Sequence, residues 1–125
     1  MEEVIFEMES ILTSIKKLLG ITEEYTAFDQ DLIMHINSVF AILMQLGVGP
    51  KDGFMITDKS ETWNQFTTKN AESLVKSYIH LKVRMMFDPP TSGIVSESMN
   101  NTIKEYEWRL SISNDNPPVM VKEVR

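Results

Sequence analysis

Apolar residues recur at helical spacing in four long stretches of the chain, and the most apolar of them, AESLVKSYIHLKVRMMFDPP (71–90), organises the rest. Leu74, Val75, Tyr78, Ile79, Leu81, Val83, Met85, Met86 and Phe87 cover well over half of that helix's circumference, leaving Ser73, Ser77, His80 and Arg84 as its polar side. A helix this apolar is predicted to be central, packed on several sides. Pro89 and Pro90 cannot donate the next backbone bonds and push Asp88 and Pro89 away from helical geometry, so the helix is predicted to end at Phe87 or Asp88. Lys82 falls inside the apolar arc. Either its stem lies along the core with the ammonium in water, or it pairs with a carboxylate, because an unpaired buried charge costs several kcal/mol. Within the fold, Glu105 and Asp88 are the candidates, with helix register favouring Glu105; a neighbouring subunit is the other source.

The remaining stretches read in order. From Glu3 to Leu19 the residues Val4, Met8, Ile11, Leu12, Ile15, Leu18 and Leu19 share one face, with Glu2 and Glu3 at one end and Lys16 and Lys17 at the other to suit the helix dipole. Gly20 terminates this helix, and Phe6 alone points away from its apolar face. A second helix is predicted from the region of Ala27 to Asp31, capped by Asp29 or Thr26, with Phe28, Leu32, Ile36, Val39, Phe40, Leu43 and Leu46 as its stripe and Gly47 as its stop. His35 borders that stripe without a second ligand three or four positions away, which makes it structural.

Between Gly49 and Thr68 the period breaks. A short extended or single-turn piece around Phe54, Met55 and Ile56 precedes SETWNQF, where Ser60 is a candidate cap for a short helix delivering Trp63 and Phe66 to the core. A connection this long in a small helical domain is either a lid on the bundle or an interaction loop. The last long helix is predicted from Thr91 or Ser92 to Ser111, with a narrow seam of Val95, Met99, Thr102, Ile103, Tyr106 and Leu110 and a supporting pair, Glu105 and Arg109. Trp108 lies opposite that seam. A large aromatic on a polar face is a candidate contact between subunits. The tail that follows alternates Val119, Val121 and Val124 with polar residues, a pattern for a strand only where an edge is offered.

The fold class that results is all-α: a small bundle of four main helices, with a long loop carrying a short helix between the second and third. Residues 1–113 read as the helical domain and 114–125 as a C-terminal tail.

Composition narrows the chemistry. The 125 residues contain no cysteine and only two histidines, so disulfides, thiolate sites and a cysteine nucleophile are excluded and a histidine metal site is not expected. The formal charge of −6 opposes a mechanism built on wrapping phosphate backbones. Nine methionines suit adaptable contact surfaces. The first residues are acidic where a signal peptide is basic, and no apolar run approaches the ~20 residues of a bilayer span, so a soluble protein, not exported through a cleaved signal and with no membrane contact, is expected. No phosphate loop, paired-histidine motif, nucleophile elbow or carboxylate cluster is present in the sequence. No catalytic, cofactor-binding or metal residue is therefore nominated.

Four segments together resemble the head-to-tail connector family of long-tailed bacteriophages and prophages, also called head completion or neck adaptor proteins. They are FDQDLIMHINSVFAILMQLGVGP (28–50), GFMITDKSETWNQF (53–66), LVKSYIHLKVRMMFDPPTS (74–92) and IKEYEWRL (103–110), and KVRMMFDPPTS followed by EWRL is the most specific part. The resemblance implies a non-enzymatic structural protein of the virion neck, present in the host cytoplasm before assembly. Such a subunit would form a homo-oligomeric ring beneath the portal protein, carry a downstream neck or tail-completion protein, and pass DNA without reading its sequence. An alternative from another class is a helical regulatory or nucleic-acid adaptor serving packaging. For the ring, Trp108, Lys82, Phe54 and Phe6 are the candidate interface residues, while Asp88, Pro89, Pro90, Gly47, Trp63 and Glu105 are read as structural.

Overall fold

Among the described residues, the first helix begins at Ser10. The computed structural model describes residues 9–66 and 72–115. Ser10 is extended, and its Oγ accepts the Thr13 N–H at 3.2 Å, capping helix α1 (Ile11–Leu18). This corrects the expectation of a helix running through from Glu3: the capped break at Ser10 leaves no acid in the first turn, although Lys16 and Lys17 do occupy the last. Val4, Phe6 and Met8 lie outside the described residues. At the other end, the Ile21 N–H reaches the Lys16 carbonyl (2.8 Å) and the Gly20 N–H the Lys17 carbonyl (3.1 Å), the paired bonds of a Schellman terminus.

Helix α2 (Asp29–Gln45) starts after Phe28, which supplies no side-chain cap. Neither expected cap acts as one: Thr26 accepts the Asp29 N–H through its carbonyl, and the Asp29 carboxylate turns to Lys16. The helix stops as expected at Gly47, again with Schellman bonding, as the Val48 N–H meets the Leu43 carbonyl at 2.8 Å and the Val48 side chain is buried.

The long connection carries helix α3 (Trp63–Phe66). Its start is organised by Thr62, whose N–H donates to Gln65 Oε1 at 3.1 Å, and not by Ser60, whose N–H is drawn instead to Asp58 Oδ1 at 2.7 Å. Trp63 is fully buried, and its Nε1–H donates to Ser14 Oγ at 2.8 Å, which in turn donates to the Ile11 carbonyl. Backbone bonds from Ile11 to Glu61 (3.0 Å) and from Trp63 to Glu9 (3.3 Å) form an isolated antiparallel bridge between Ser10 and Thr62. The connection is therefore stitched to the start of α1 at both main-chain and side-chain level.

Helix α4 (Glu72–Phe87) buries Val75, Tyr78, Ile79 and Val83 and packs against α1, α2 and helix α5 (Gly93–Asp115). It is the central helix the sequence predicts, except that Met86 is exposed. It ends where the two prolines require: the Asp88 N–H bonds the Arg84 carbonyl, and the Arg84 Nε–H returns to the Asp88 carbonyl. Phe87 packs edge-on against Phe28, with ring centroids 5.1 Å apart. Ser92 caps α5, accepting the Val95 N–H on Oγ and the Ser96 N–H on its carbonyl. The helix then runs to Asp115, past the expected end at Ser111. Only Ile103 and Leu110 of its predicted seam are buried, while Val95 is exposed, so the N-terminal half of α5 extends beyond the core. The bundle is all-α as predicted, four main helices and one short one, with the Ser10–Thr62 bridge as the β pairing among the described residues.

Candidate interaction surfaces

Charge inside the bundle is settled by Glu107 and Asp29, neither of which the sequence reading takes as an ion-pair partner. Tyr78 presents a fully buried ring whose hydroxyl donates to Glu107 Oε2 at 2.7 Å. Burial, reinforced by that hydrogen bond and by the Glu107 charge, holds the phenol far above its ordinary pKa of 10.0. Lys82 Nζ lies 3.8 Å from the same carboxylate oxygen, and both side chains keep about a quarter to a third of their surface in water (26% and 31%). Lys82 is thus paired, but with Glu107 and not with Glu105 or Asp88. Glu105 is taken by Arg109, at 2.7 Å, on the exposed side of α5. The signal for Glu107 lies in its spacing: it follows Ile103 by four and precedes Leu110 by three, the two deepest positions of that helix.

The deeply buried lysine is Lys16. Its side chain is 3% exposed, and Nζ sits 2.9 Å from Asp29 Oδ1 while donating to the Glu23 carbonyl at 3.0 Å. In the sequence Lys16 reads as a dipole partner at a helix end, yet it follows Leu12 by four and precedes Leu19 by three, so it projects from the apolar face. It clamps α1 to the start of α2. Glu9 makes a looser clamp to α4, with Lys76 Nζ at 3.2 Å and Lys17 Nζ at 3.9 Å.

Of the candidate interface residues, Trp108 stands 64% exposed on α5, on the side opposite Ile103 and Leu110. Ile94 and Ile112 share that outer stripe and are exposed as well. Phe54 is half-buried, because its ring packs edge-on against Phe40 (5.1 Å) and Phe66 (5.5 Å). Phe6 lies outside the described residues. Gly47 and the Asp88–Pro89–Pro90 run serve as helix stops, and Trp63 anchors α3 in the core.

A second surface comes from the loop. Asn37 bonds both the N–H (2.8 Å) and the carbonyl (3.0 Å) of Ile56, holding the extended 53–56 segment along α2 as a neighbouring strand would. Between that segment and the outer side of α2 opens an apolar groove of about 720 Å³, walled by Met34, Ala41 and Met44 on one side and Phe54 and Met55 on the other. Further along, the Glu61 carboxylate gathers the Thr57 N–H, the Thr57 hydroxyl and the Asp58 N–H, closing the loop tip on itself. These bonds hold Glu61 below the ordinary carboxylate value against the opposing effect of burial.

Among the described residues no group of three or more potential metal ligands is assembled. His35 is half-buried beside Phe87, with ring centroids 6.5 Å apart. His80 is pushed below its ordinary pKa by burial and by the Arg84 charge, which outweigh the Leu18 carbonyl it faces. No helix among the described residues is long and apolar enough to cross a membrane. The described residues expose a ridge bearing the Trp108 indole and a methionine-lined groove.

A family model described as phage connector protein matches residues 11–117. No curated protein and no solved structure matches the chain.

Proposed function

Because the chain belongs to the phage connector protein family and so has a structural connector role in the phage particle, we propose that it is a ring-forming adaptor of the virion neck. In this reading copies of the chain assemble beneath the portal protein, prolong the channel through which DNA leaves, and present a platform to a downstream neck or tail-completion protein. The observation that carries it is the family match over residues 11–117, which takes in every described helix up to Asp115. Two further features support it. The chain exposes apolar side chains on α5 and beside α2, surface suited to contact with neighbouring subunits. Its net charge of −6 also favours DNA passing through over DNA held, since tight backbone binding needs many cations. In this reading the protein acts without enzymatic activity or cofactor.

Electron microscopy of the chain mixed with its portal is the direct test, with ring-shaped density on the portal as the expected result. Portal particles that stay bare at saturating concentrations of the chain would sink the proposal. An electrophoretic shift of duplex DNA at physiological salt separates the other class: the ring adaptor leaves DNA unshifted, whereas a packaging accessory protein binds it at micromolar concentration or tighter.

A further inference from the structure

The Trp108 ridge and the methionine groove lie on different helices, each on the face turned away from the core. Helix α4 packs against both α2 and α5; on α2 the buried positions Leu32, Ile36, Val39 and Leu43 face inward while Met34, Ala41 and Met44 line the groove on the far side. On α5, likewise, Ile103 and Leu110 face inward and Trp108 and Ile112 point away. A single chain cannot bring the two together. We infer that the Trp108–Ile112 ridge of one copy seats in the methionine groove of the next, making a head-to-tail contact that repeats around an assembly.

Shape, chemistry and charge argue for this occupant. The ridge is convex and the groove concave, so pairing ridge with ridge leaves the groove empty, whereas ridge into groove fills both. A contact between two different patches is heterologous, the kind that closes rings. Met34, Met44 and Met55 are 59%, 40% and 67% exposed, a flexible thioether lining suited to an indole edge. Asp52 is the charged residue among those lining the groove, and exposed Lys104 stands one helical turn before Trp108, where it meets that carboxylate when the indole is seated. Arg109 is already committed to Glu105. The inference rests on the ring reading above and adds to it which surfaces meet.

The absence of cysteine makes the test clean. Trp108→Cys and Met44→Cys, each a single thiol on an exposed position, are mixed at millimolar concentration and oxidised. Expected is a disulfide-linked pair joining the two variants, at well above the half share that random pairing gives. Homodimers at that share or more overturn the contact, and so does the absence of any link. Ile112→Cys with Met55→Cys repeats the measurement should either first variant lose its helical spectrum. A second readout uses charge: Trp108→Glu and Met44→Glu each fail to self-associate alone, but together form a one-to-one complex, because each retains one intact surface. If both glutamate variants still form rings on the portal, this contact falls and the ring reading stands. If the unaltered chain instead forms a closed two-fold dimer in solution and leaves the portal bare, both fall.

Discussion

Lys16 and Lys82 show how little a residue's name says about its role until its depth is known. Lys16 is sealed from water and clasped by Asp29, which keeps about a quarter of its own surface exposed (24%), so Lys16→Met is expected to cost about 2 to 4 kcal/mol in urea unfolding, near the lower end for breaking a buried pair. Lys82 sits 3.8 Å from a half-exposed partner, and Lys82→Met is expected to cost under about 1 kcal/mol in the same measurement. A reversal of that order would contradict the placement of both. His80 adds a pH dependence. Its folded-state pKa lies below the ordinary 6.5, so the unfolded chain takes up the proton first; this contribution is complete above 6.5 and is lost as pH falls from there toward the folded-state value. The lowered carboxyls of Asp58 and Glu61 act in the same direction only below their ordinary values of 3.8 and 4.5. Stability followed against pH is therefore expected to fall in two stages, and His80→Gln should remove the upper stage alone.

At the scale of elements, the 49–66 connection behaves as part of the core. Trp63, Phe66, Phe54 and Ile56 are packed into or against it, and the Ser10–Thr62 bridge ties the segment to α1. Gly49 shows how tightly. Its φ is +91°, and an added Cβ would run into the Phe66 ring, whereas Gly20, at φ +83°, has open space around it. Both alanine variants carry the strain of a left-handed backbone, about 1 kcal/mol. Gly49→Ala must also displace Phe66 from its tilted ring contact with Phe40, and is expected to lower the thermal midpoint by clearly more than Gly20→Ala does. Equal shifts would mean that Phe66 yields freely. Trp63→Phe, which strands the Ser14 hydroxyl without its indole donor and leaves a void, is expected to cost about 1 to 3 kcal/mol. Helix ends were the element features most legible beforehand: glycine and proline stops depend on backbone geometry within a few residues. Starts were less so, because several nearby Ser, Thr and Asp can cap: a tertiary partner, Lys16, decided the matter at Asp29, and a competing local bond to Asp58 decided it at Ser60.

For the whole molecule, an exposed Trp108 on a helix whose other side is buried means that stability and assembly separate. Trp108→Ala is expected to leave the unfolding midpoint of the single chain unchanged, and to reduce self-association by the order of tenfold or more, as truncating an aromatic anchor at an interface does. Calorimetry alongside sedimentation checks both halves, and a matching loss of stability would place the indole inside the fold. The sequence by itself determined the all-α class, the central place of the 71–90 helix, the stops at Gly20, Gly47 and the two prolines, and the family resemblance carried by segments within 28–110, because periodicity, backbone-restricted residues and short motifs are local properties of the chain. Tertiary structure alone decided which charges pair, that Lys16 is buried while Lys82 is not, and that a groove opens beside α2. Those outcomes depend on how far one helix is rotated and shifted against the next, a few ångströms that no one-dimensional pattern specifies and that a carboxylate at 3 or at 8 Å registers in full.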